Sequence, residues 1–398
     1  MLGVCYDYSM FPYRSRSYKS LKINYTNDLY GHALKRGNCV FLTGSCPNPT
    51  PKEVYEELLE SFVNENEFCS YTVGSLGLKK EIANYIEEHS QVAVDVSSNI
   101  LVTLGATTFL QQLFLYLLDE DSDCLVITPT FQDYYNQLRF TRASITEVAM
   151  EEKSPDWPLD TKKVQQALRG NTKVILLCSP NNPTGKIYTR QELMELGEIA
   201  KENDILLVVD EAYNYLTYDK PFTSALGIPR MRDRVVVART FSKEFSMCGW
   251  RVGYAYVPAS IHEELFHLQL SFNTVASAVS QKAAEISLQS PAVKKQVQED
   301  LEVAREKRDF VIKGIDEIGH GLTYITPQAC PYLFVKYLKD IKSYYLCKDI
   351  IDKVGVVVSP GVGNGAAGEH HFCITFADCT GVISEGMSRL GVYFSKYY

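Results

Sequence analysis

The 398-residue sequence contains no apolar run of the roughly 18 residues that a membrane-spanning helix needs. It also lacks any block of five or more consecutive Lys and Arg residues, and its net charge is −8. The first absence argues against a membrane-spanning helix, and the others give no indication of a nucleic-acid or membrane-surface partner, so the expected partner is a small molecule. Residues 1–21 lack the continuous apolar segment of a secretion signal, which favours a cytoplasmic protein.

The cysteines are dispersed rather than paired. There are 11 of them, an odd number, and none forms a CxxC motif. This distribution favours reduced thiols over a disulfide framework. The adjacent His370 and His371 have no Cys or His partner at a ligand spacing, so no metal site is predicted.

Short runs rich in Val, Ile and Leu alternate with amphipathic segments through most of the chain. The runs predict strands at residues 99–103, 124–128, 173–178, 205–209, 234–238 and 252–257. Helices are predicted at residues 76–89, 107–118 and 189–203 between them, and a long charged helix at 293–318. This alternation predicts an α/β fold with a mostly parallel sheet covered by helices. We expect an N-terminal arm at 1–50, a large domain at 51–290 and a smaller α+β domain at 291–398.

Residues with useful chemistry follow the predicted strand ends, where ligands bind in an open parallel sheet. Gly105-Ala106-Thr107 opens a helix, so its amides can bind a phosphate. Asp210 ends an apolar strand, where a buried carboxylate needs a cation nearby. Lys243 lies eight residues before Arg251, and a lysine beside a fixed cation can keep a neutral amine that condenses with an aldehyde. Each of these residues alone is more often structural, but together they describe a cofactor site.

Two further motifs fit the same site. Ser179-Pro-Asn-Asn182-Pro-Thr-Gly185 has two prolines and a glycine that fix a turn between a strand and a helix. Phe131, in Pro129-Thr-Phe131, offers a ring face for stacking on a flat ligand. In these motifs the chain resembles the pyridoxal 5′-phosphate enzymes of fold type I, in the class I/II aminotransferase family of the aspartate aminotransferase kind. The resemblance extends from about residue 40 to residue 398.

The resemblance implies a seven-stranded type of sheet and a role for each motif. Lys243 would carry the cofactor as an internal aldimine and move the proton that gives the quinonoid, while Asp210 would pair with the ring nitrogen. Phe131 would stack on the ring, and Asn182 and Tyr213 would bind its oxygen. The phosphate would be bound by Gly105, Ala106, Thr107, Ser242 and Arg251.

The family pattern also implies a homodimer with shared active sites. Tyr71 resembles the tyrosine that reaches the phosphate from the neighbouring subunit, and Gly44 matches the glycine of the arm that closes over the substrate. Asn182 and the residue at position 373 would contact the substrate, an amino acid or another amine-bearing small molecule.

The chain departs from the family at position 373, where the arginine that clamps the substrate carboxylate is replaced by Cys373. No arginine occurs between residues 309 and 388. Loss of such a clamp weakens carboxylate binding by roughly 1.5 to 3 kcal/mol unless another cation replaces it. The candidates for this replacement are His370, His371, Arg14 and Arg16.

Three functions therefore compete. The first is transamination in biosynthetic or specialised metabolism, and the second is a lyase or cyclase reaction that needs no second acid. The third is a non-catalytic ligand-sensing relative, against which the retention of Lys243, Asp210 and Arg251 argues.

Overall fold

The computed structural model describes residues 24–44, 48–64, 74–228 and 231–398. Its central element is a seven-stranded sheet in the order β2-β8-β7-β6-β5-β3-β4. The strands are β2 Ile100–Thr103, β3 Asp123–Thr128, β4 Ser144–Ala149, β5 Thr172–Cys178, β6 Leu206–Asp210, β7 Val235–Thr240 and β8 Gly253–Tyr256. The β4-β3-β5-β6-β7 pairs are parallel, whereas β8 runs antiparallel to both β7 and β2. The predicted α/β fold with a mostly parallel sheet is confirmed.

The strands are apolar on both faces because helices cover both. Alternate residues of β5, such as Val174 and Leu176, pack in one apolar cluster, while Ile175 and Leu177 pack in the other. The helices of this part of the chain are α2 Lys52–Asn64, α3 Leu76–Ser90, α4 Ala106–Leu117, α5 Asp133–Thr141, α6 Thr161–Ala167, α7 Arg190–Glu202, α8 Phe241–Glu244, α9 Ala259–Asn273 and α10 Ala278–Gln289. The six strands and three helices predicted here from the sequence are all present within a few residues of their predicted ends.

Strand β4 was not predicted from the sequence. It lies at the edge of the sheet and pairs only with β3 among the described strands. Most of its residues are partly or fully exposed, so it lacks the continuous apolar run by which the buried strands are recognised.

The C-terminal part of the chain forms a second, antiparallel sheet in the order β12-β13-β10-β9. Its strands are β9 Thr323–Tyr324, β10 Tyr332–Lys336, β12 Ser359–Pro360 and β13 His371–Thr375. It packs with α11 Pro291–Ile318, α12 Ser343–Val354 and α13 Thr380–Lys396. The N-terminal segment joins this part, because β1 Val40–Phe41 pairs with β11 Val356–Val357 and α1 Tyr25–Arg36 packs on α12.

Candidate functional site

One cavity at the carboxyl edge of the seven-stranded sheet collects most of the predicted site residues. Strands β2, β3, β5, β6 and β7 all end at this edge, and β8 begins there. The cavity has a volume of about 160 Å³. The predicted residues that line it are Ala106, Thr107, Phe131, Asn182, Asp210, Tyr213, Ser242, Lys243 and Arg251.

Asp210 provides the buried carboxylate of the cavity. Its Oδ2 accepts a hydrogen bond of 2.6 Å from the Tyr134 hydroxyl, and its Oδ1 accepts one of 3.0 Å from the Ala212 amide. Burial raises the pKa of Asp210, while Tyr134, Ala212 and Lys243 act in the opposite direction. A cation bound in the cavity would offset the cost of burying this charge.

Another part of the cavity lining is positively charged. Helix α4 begins at Ala106, and its N-terminus has no side-chain cap, so its first amides are available to a ligand. The Arg251 guanidinium lies beside it, donating to the Leu104 and Cys248 carbonyls at 3.3 and 3.0 Å. Gly105 has φ +85°, and a Cβ there would lie 3.1 Å from the Arg251 guanidinium, so a glycine is required for this approach. An anion is the ligand that this end of the cavity fits.

Lys243 lines the same cavity. Its Nζ is 3.8 Å from the Cys248 Sγ and 5.9 Å from the centre of the Tyr213 ring. Helix α8, which carries it, is only four residues long, and its N-terminus is capped by the Thr240 hydroxyl. The main chain is further held by the Tyr215 hydroxyl, which donates to the Lys243 carbonyl at 2.6 Å.

The turn that carries Asn182 is fixed by its contacts with the C-terminal part of the chain. Gly185 has φ +70°, and a Cβ there would lie 2.5 Å from the Ala329 carbonyl oxygen. The Gly185 carbonyl oxygen accepts a hydrogen bond of 3.1 Å from the main-chain amide of Gln328. Glycine is therefore required where this turn meets residues 327–329.

These residues fit pyridoxal phosphate, the cofactor expected from the sequence. The buried carboxylate of Asp210 matches a protonated ring nitrogen, and the uncapped helix with Arg251 matches a phosphate. Phe131 lines the cavity and offers its ring for stacking.

The predicted substrate residues are less closely grouped. Gly44 lies against Ala377, with the Ala377 oxygen 3.3 Å from the position of a Cβ, and Cys373 lies buried in β13. Neither lines the cavity as described, whereas Asn182 does. Tyr71, Arg14 and Arg16 lie outside the described residues. The roles of these residues stay predictions.

His371 contacts residues outside the cavity lining, although the sequence offered it as a replacement for the missing arginine. Its ring stacks on Phe334 at 4.5 Å, and its Nε2 lies 3.4 Å from a Glu152 oxygen. The pKa of Glu152 falls to about 2 because His371 and Lys336 outweigh the opposing effect of burial. Among the described residues there is no cluster of three or more potential metal ligands.

Several cavity residues were missed in the sequence. Tyr134 follows Phe131 by three residues, so the first turn of α5 could have indicated it. Tyr332 comes from β10 of the second sheet, and no sequence spacing connects it to Tyr213. The others are Cys178, Ala212, Thr240 and Cys248.

Glu244, next to Lys243, belongs to a largely buried polar cluster outside the cavity lining. Both of its oxygens accept from the Tyr85 hydroxyl at 2.9 Å, and that hydroxyl accepts from the Asn214 amide at 3.0 Å. Burial raises the pKa of Glu244 to about 7, against the opposing effects of Tyr85, Arg239, Asn214 and Lys294.

This cluster predicts a pH dependence of stability. A carboxyl whose pKa is raised on folding stabilises the protein below its unfolded pKa and loses that contribution as the pH rises through about 7. We expect the unfolding free energy of the wild type to fall by about 1 to 2 kcal/mol between pH 5 and pH 8 relative to that of Glu244→Gln. Denaturant titrations at both pH values measure this difference. The control is Glu88→Gln, on the exposed side of the same helix as Tyr85, and equal pH slopes for all three proteins would contradict the prediction.

Known proteins resemble this chain along most of its length. The family described as aminotransferase class I and II matches residues 33–382. The aspartate aminotransferase of Thermotoga maritima is 31% identical over 359 residues, which are 87% of this chain and 90% of that protein. Aromatic-amino-acid aminotransferase 2 of Thermococcus litoralis is 27% identical over 345 residues, 86% of this chain and 87% of that protein.

Solved structures give the same result. The aromatic aminotransferase of Pyrococcus horikoshii superposes with a TM-score of 0.84 at 26% identity, covering 92% of this chain and 98% of that one. The family expected from the motifs is thus confirmed. The chain belongs to the class I and II aminotransferase family and is an aminotransferase that depends on pyridoxal 5′-phosphate.

Proposed function

We propose that this enzyme transfers the amino group of a small amine-bearing molecule to a carbonyl acceptor, with Lys243 as the residue that holds the cofactor covalently. The observation that supports this is the placement of Lys243 Nζ in one cavity with Asp210 and the N-terminus of α4. The cavity joins an amine, a buried carboxylate and an anion-binding end, which are the groups that this cofactor needs.

The other residues would hold and orient the cofactor. The amides of Ala106 and Thr107, the Ser242 hydroxyl and the Arg251 guanidinium would bind its phosphate. Asn182 and Tyr213 would donate hydrogen bonds to its ring oxygen, and Phe131 would cover one ring face. Bound pyridoxal phosphate supplies an aldehyde that condenses with amines and a protonated ring that accepts electrons.

The chain's own residues would then control the protons. Asp210 would keep the ring nitrogen protonated, because its carboxylate is buried and a protonated ring nitrogen would supply the positive charge that a buried carboxylate needs. Lys243 Nζ would act as the general base that accepts the proton from the carbon bearing the substrate amine.

We further propose that the substrate is held without a bidentate arginine clamp. Cys373 and Tyr332 lie on one face of the second sheet, because β10 and β13 pair Phe334 with Cys373 and Tyr332 with Thr375. Tyr332 reaches the cavity, and the side chain at 373 on the same face is a neutral thiol whose pKa burial raises. A carboxylate placed against this face has no cation in β10 or β13 closer than Lys336 and His371, which both face Glu152.

We propose that the neutral face formed by Tyr332 and Cys373 selects the substrate and does not indicate a different type of reaction. The relatives compared above are named as aminotransferases, which favours transamination over the elimination or cyclisation considered from the sequence. Their names include both aspartate and aromatic aminotransferases, so they do not define one substrate.

A panel of substrates tests both the proposed transamination and the proposed preference for a neutral substrate. Purified enzyme loaded with pyridoxal phosphate is mixed with α-amino acids, with their amides and with the corresponding simple amines, and the cofactor absorbance and carbonyl products are recorded. We expect conversion of the cofactor to its amine form with an equimolar carbonyl product, and kcat/KM for the neutral donors at least about tenfold above that for the free acids. Release of ammonia with no amine form would contradict transamination, and a preference for the free acids would contradict the neutral substrate.

We also propose a homodimer, with Tyr71 of each subunit completing the phosphate site of the other. Its support is an exposed apolar group on α2, where Tyr55, Leu59 and Phe62 are 45%, 65% and 45% exposed. The Tyr55 ring lies 5.6 Å from that of Trp250, next to Arg251, so this surface adjoins the cavity. Sedimentation equilibrium is expected to give twice the subunit mass, and a monomer would contradict the proposal.

The division into an arm at 1–50, a large domain at 51–290 and a smaller domain at 291–398 is part of the same proposal, as is a cytoplasmic location. In the described part of the chain, no helix is long and apolar enough to cross a membrane.

A further inference from the structure

Two buried tyrosines from different sheets meet at the wall of the cavity. The Tyr213 and Tyr332 hydroxyl oxygens are 2.6 Å apart, and their rings are 5.7 Å apart at an angle of 80°. Both side chains line the cavity. We propose that Tyr332 is a positioning residue that orients the Tyr213 hydroxyl, so that the proton of Tyr213 points to the ring oxygen of the cofactor. This inference rests on the proposed function, in which Tyr213 binds that oxygen.

The two tyrosines are held at a main-chain junction. Residues 216–218, which follow Tyr213, form a short antiparallel bridge with residues 328–330, which precede Tyr332. The Tyr218 amide donates to the Gln328 carbonyl at 2.9 Å, and the Cys330 amide donates to the Leu216 carbonyl at 3.0 Å. The backbone on both sides therefore fixes the positions of the two residues, and the burial of both side chains restricts the rotation of their rings.

The two hydroxyls of Tyr213 and Tyr332 have two hydrogens between them, and this number limits the hydrogen bonds that they can donate. Each phenol has one hydrogen to donate, and burial raises the pKa of both hydroxyls, so both keep that hydrogen at neutral pH. Within the described residues, neither hydroxyl has another recorded hydrogen-bond partner. If Tyr332 donates to Tyr213, the hydrogen of Tyr213 is left for the cavity. If Tyr213 donates to Tyr332, Tyr213 has no hydrogen left for the cavity, and the free hydrogen belongs to Tyr332 instead.

An anionic oxygen in the cavity selects the first arrangement. It attracts the Tyr213 hydrogen, and Tyr332 then donates to the oxygen of Tyr213, which makes Tyr213 a stronger donor. Lys243 Nζ lies 5.9 Å from the Tyr213 ring centre. With pyridoxal phosphate held at Lys243, a stronger donor to its ring oxygen would stabilise negative charge on that oxygen and so lower the pKa read from the absorbance of the bound cofactor. Tyr332 would thus help to set that pKa.

The test is Tyr332→Phe, which removes one oxygen atom and keeps the ring. Its control is Tyr337→Phe, because Tyr337 is also buried, lies one residue beyond β10 and donates to the Ile341 carbonyl outside the cavity lining. We expect Tyr332→Phe to raise by about half a unit the pKa read from the visible absorbance of the bound cofactor. Its Kd for pyridoxal phosphate should rise by about threefold to tenfold. Tyr337→Phe should change neither value.

A second measurement uses the protein without cofactor. Tyr213→Phe, Tyr332→Phe and the double variant are compared by thermal unfolding of the apoprotein. Each single variant leaves one buried hydroxyl unpaired, so we expect each to lower the Tm and the double variant to lie no lower than the singles. Additive Tm shifts would show that the hydroxyls do not interact, and this would overturn the inference.

The outcomes separate this inference from the function on which it rests. If the wild type binds pyridoxal phosphate and Tyr332→Phe behaves like Tyr337→Phe, Tyr332 has no positioning role while the proposed function stands. If the wild type shows no cofactor absorbance fixed at Lys243, the proposed function fails, and the role of Tyr332 fails with it.

Discussion

Replacing Lys243 by methionine is expected to lower kcat by about 10³-fold or more and to abolish borohydride fixation of the cofactor. Methionine has a similar length and no amine, so it fills the same space without a group that can bind the cofactor covalently or move a proton. The measurements are transamination kinetics and the mass of peptides from borohydride-treated protein.

The geometry explains why no other residue should replace this amine. Lys243 is the lysine that lines the cavity in the described part of the chain. The main chain at this position is held by the Thr240 cap of α8 and by the Tyr215 hydroxyl, so a neighbouring residue cannot move into its place without breaking both contacts. Arg251, which also lines the cavity, is held by the Leu104 and Cys248 carbonyls.

Lys336→Met is the matched control. Lys336 is also partly exposed, but it pairs with Glu152 on the second sheet and lies outside the cavity lining. We expect borohydride to fix one cofactor per chain in this variant, as in the wild type. Fixation at a lysine other than 243, or full activity in Lys243→Met, would contradict the role assigned to this residue.

Much of the cofactor site could be predicted from the sequence because its residues follow buried strands. Gly105, Phe131, Asn182, Asp210 and Lys243 each lie at or just after a strand end. Parallel strands bring their carboxyl ends to one edge of the sheet, so position along the sequence already determines position in space.

The contacts between distant segments could not be predicted in this way. Tyr134 reaches Asp210 across 76 residues, and Tyr332 reaches Tyr213 across 119. Tyr332 and Cys373 belong to an antiparallel sheet whose placement depends on the bridge between residues 216–218 and 328–330, which has no sequence signature. The edge strand β4 was missed for a different reason. Most of its residues are partly or fully exposed, so it lacks the continuous apolar run of a buried strand.

The second large effect is expected for Asp210→Asn, which should lower kcat by about 10² to 10³-fold while the cofactor stays bound. An asparagine keeps the shape of the side chain and can still accept from Tyr134 or Ala212, but it carries no charge to hold a proton on the ring nitrogen. The phosphate end of the cavity, formed by α4 and Arg251, is unchanged. The expected result is therefore a loss of kcat with a Kd for pyridoxal phosphate raised by no more than about tenfold.

Asp123→Asn is the control. It shows what happens when a buried carboxylate outside the cavity loses its charge. Asp123 is fully buried at the opposite, amino end of β3, where it accepts from Thr146 and Thr172 at 2.8 and 2.9 Å. We expect this variant to lose stability but to keep the kcat of the wild type, because Asp123 lies at the edge of the sheet opposite to the cavity. Single-turnover kinetics with each protein measure the proton-transfer step directly. Equal rates for Asp210→Asn and Asp123→Asn would mean that the Asp210 carboxylate acts only as a structural acceptor for Tyr134, and that the ring nitrogen is kept protonated by another group.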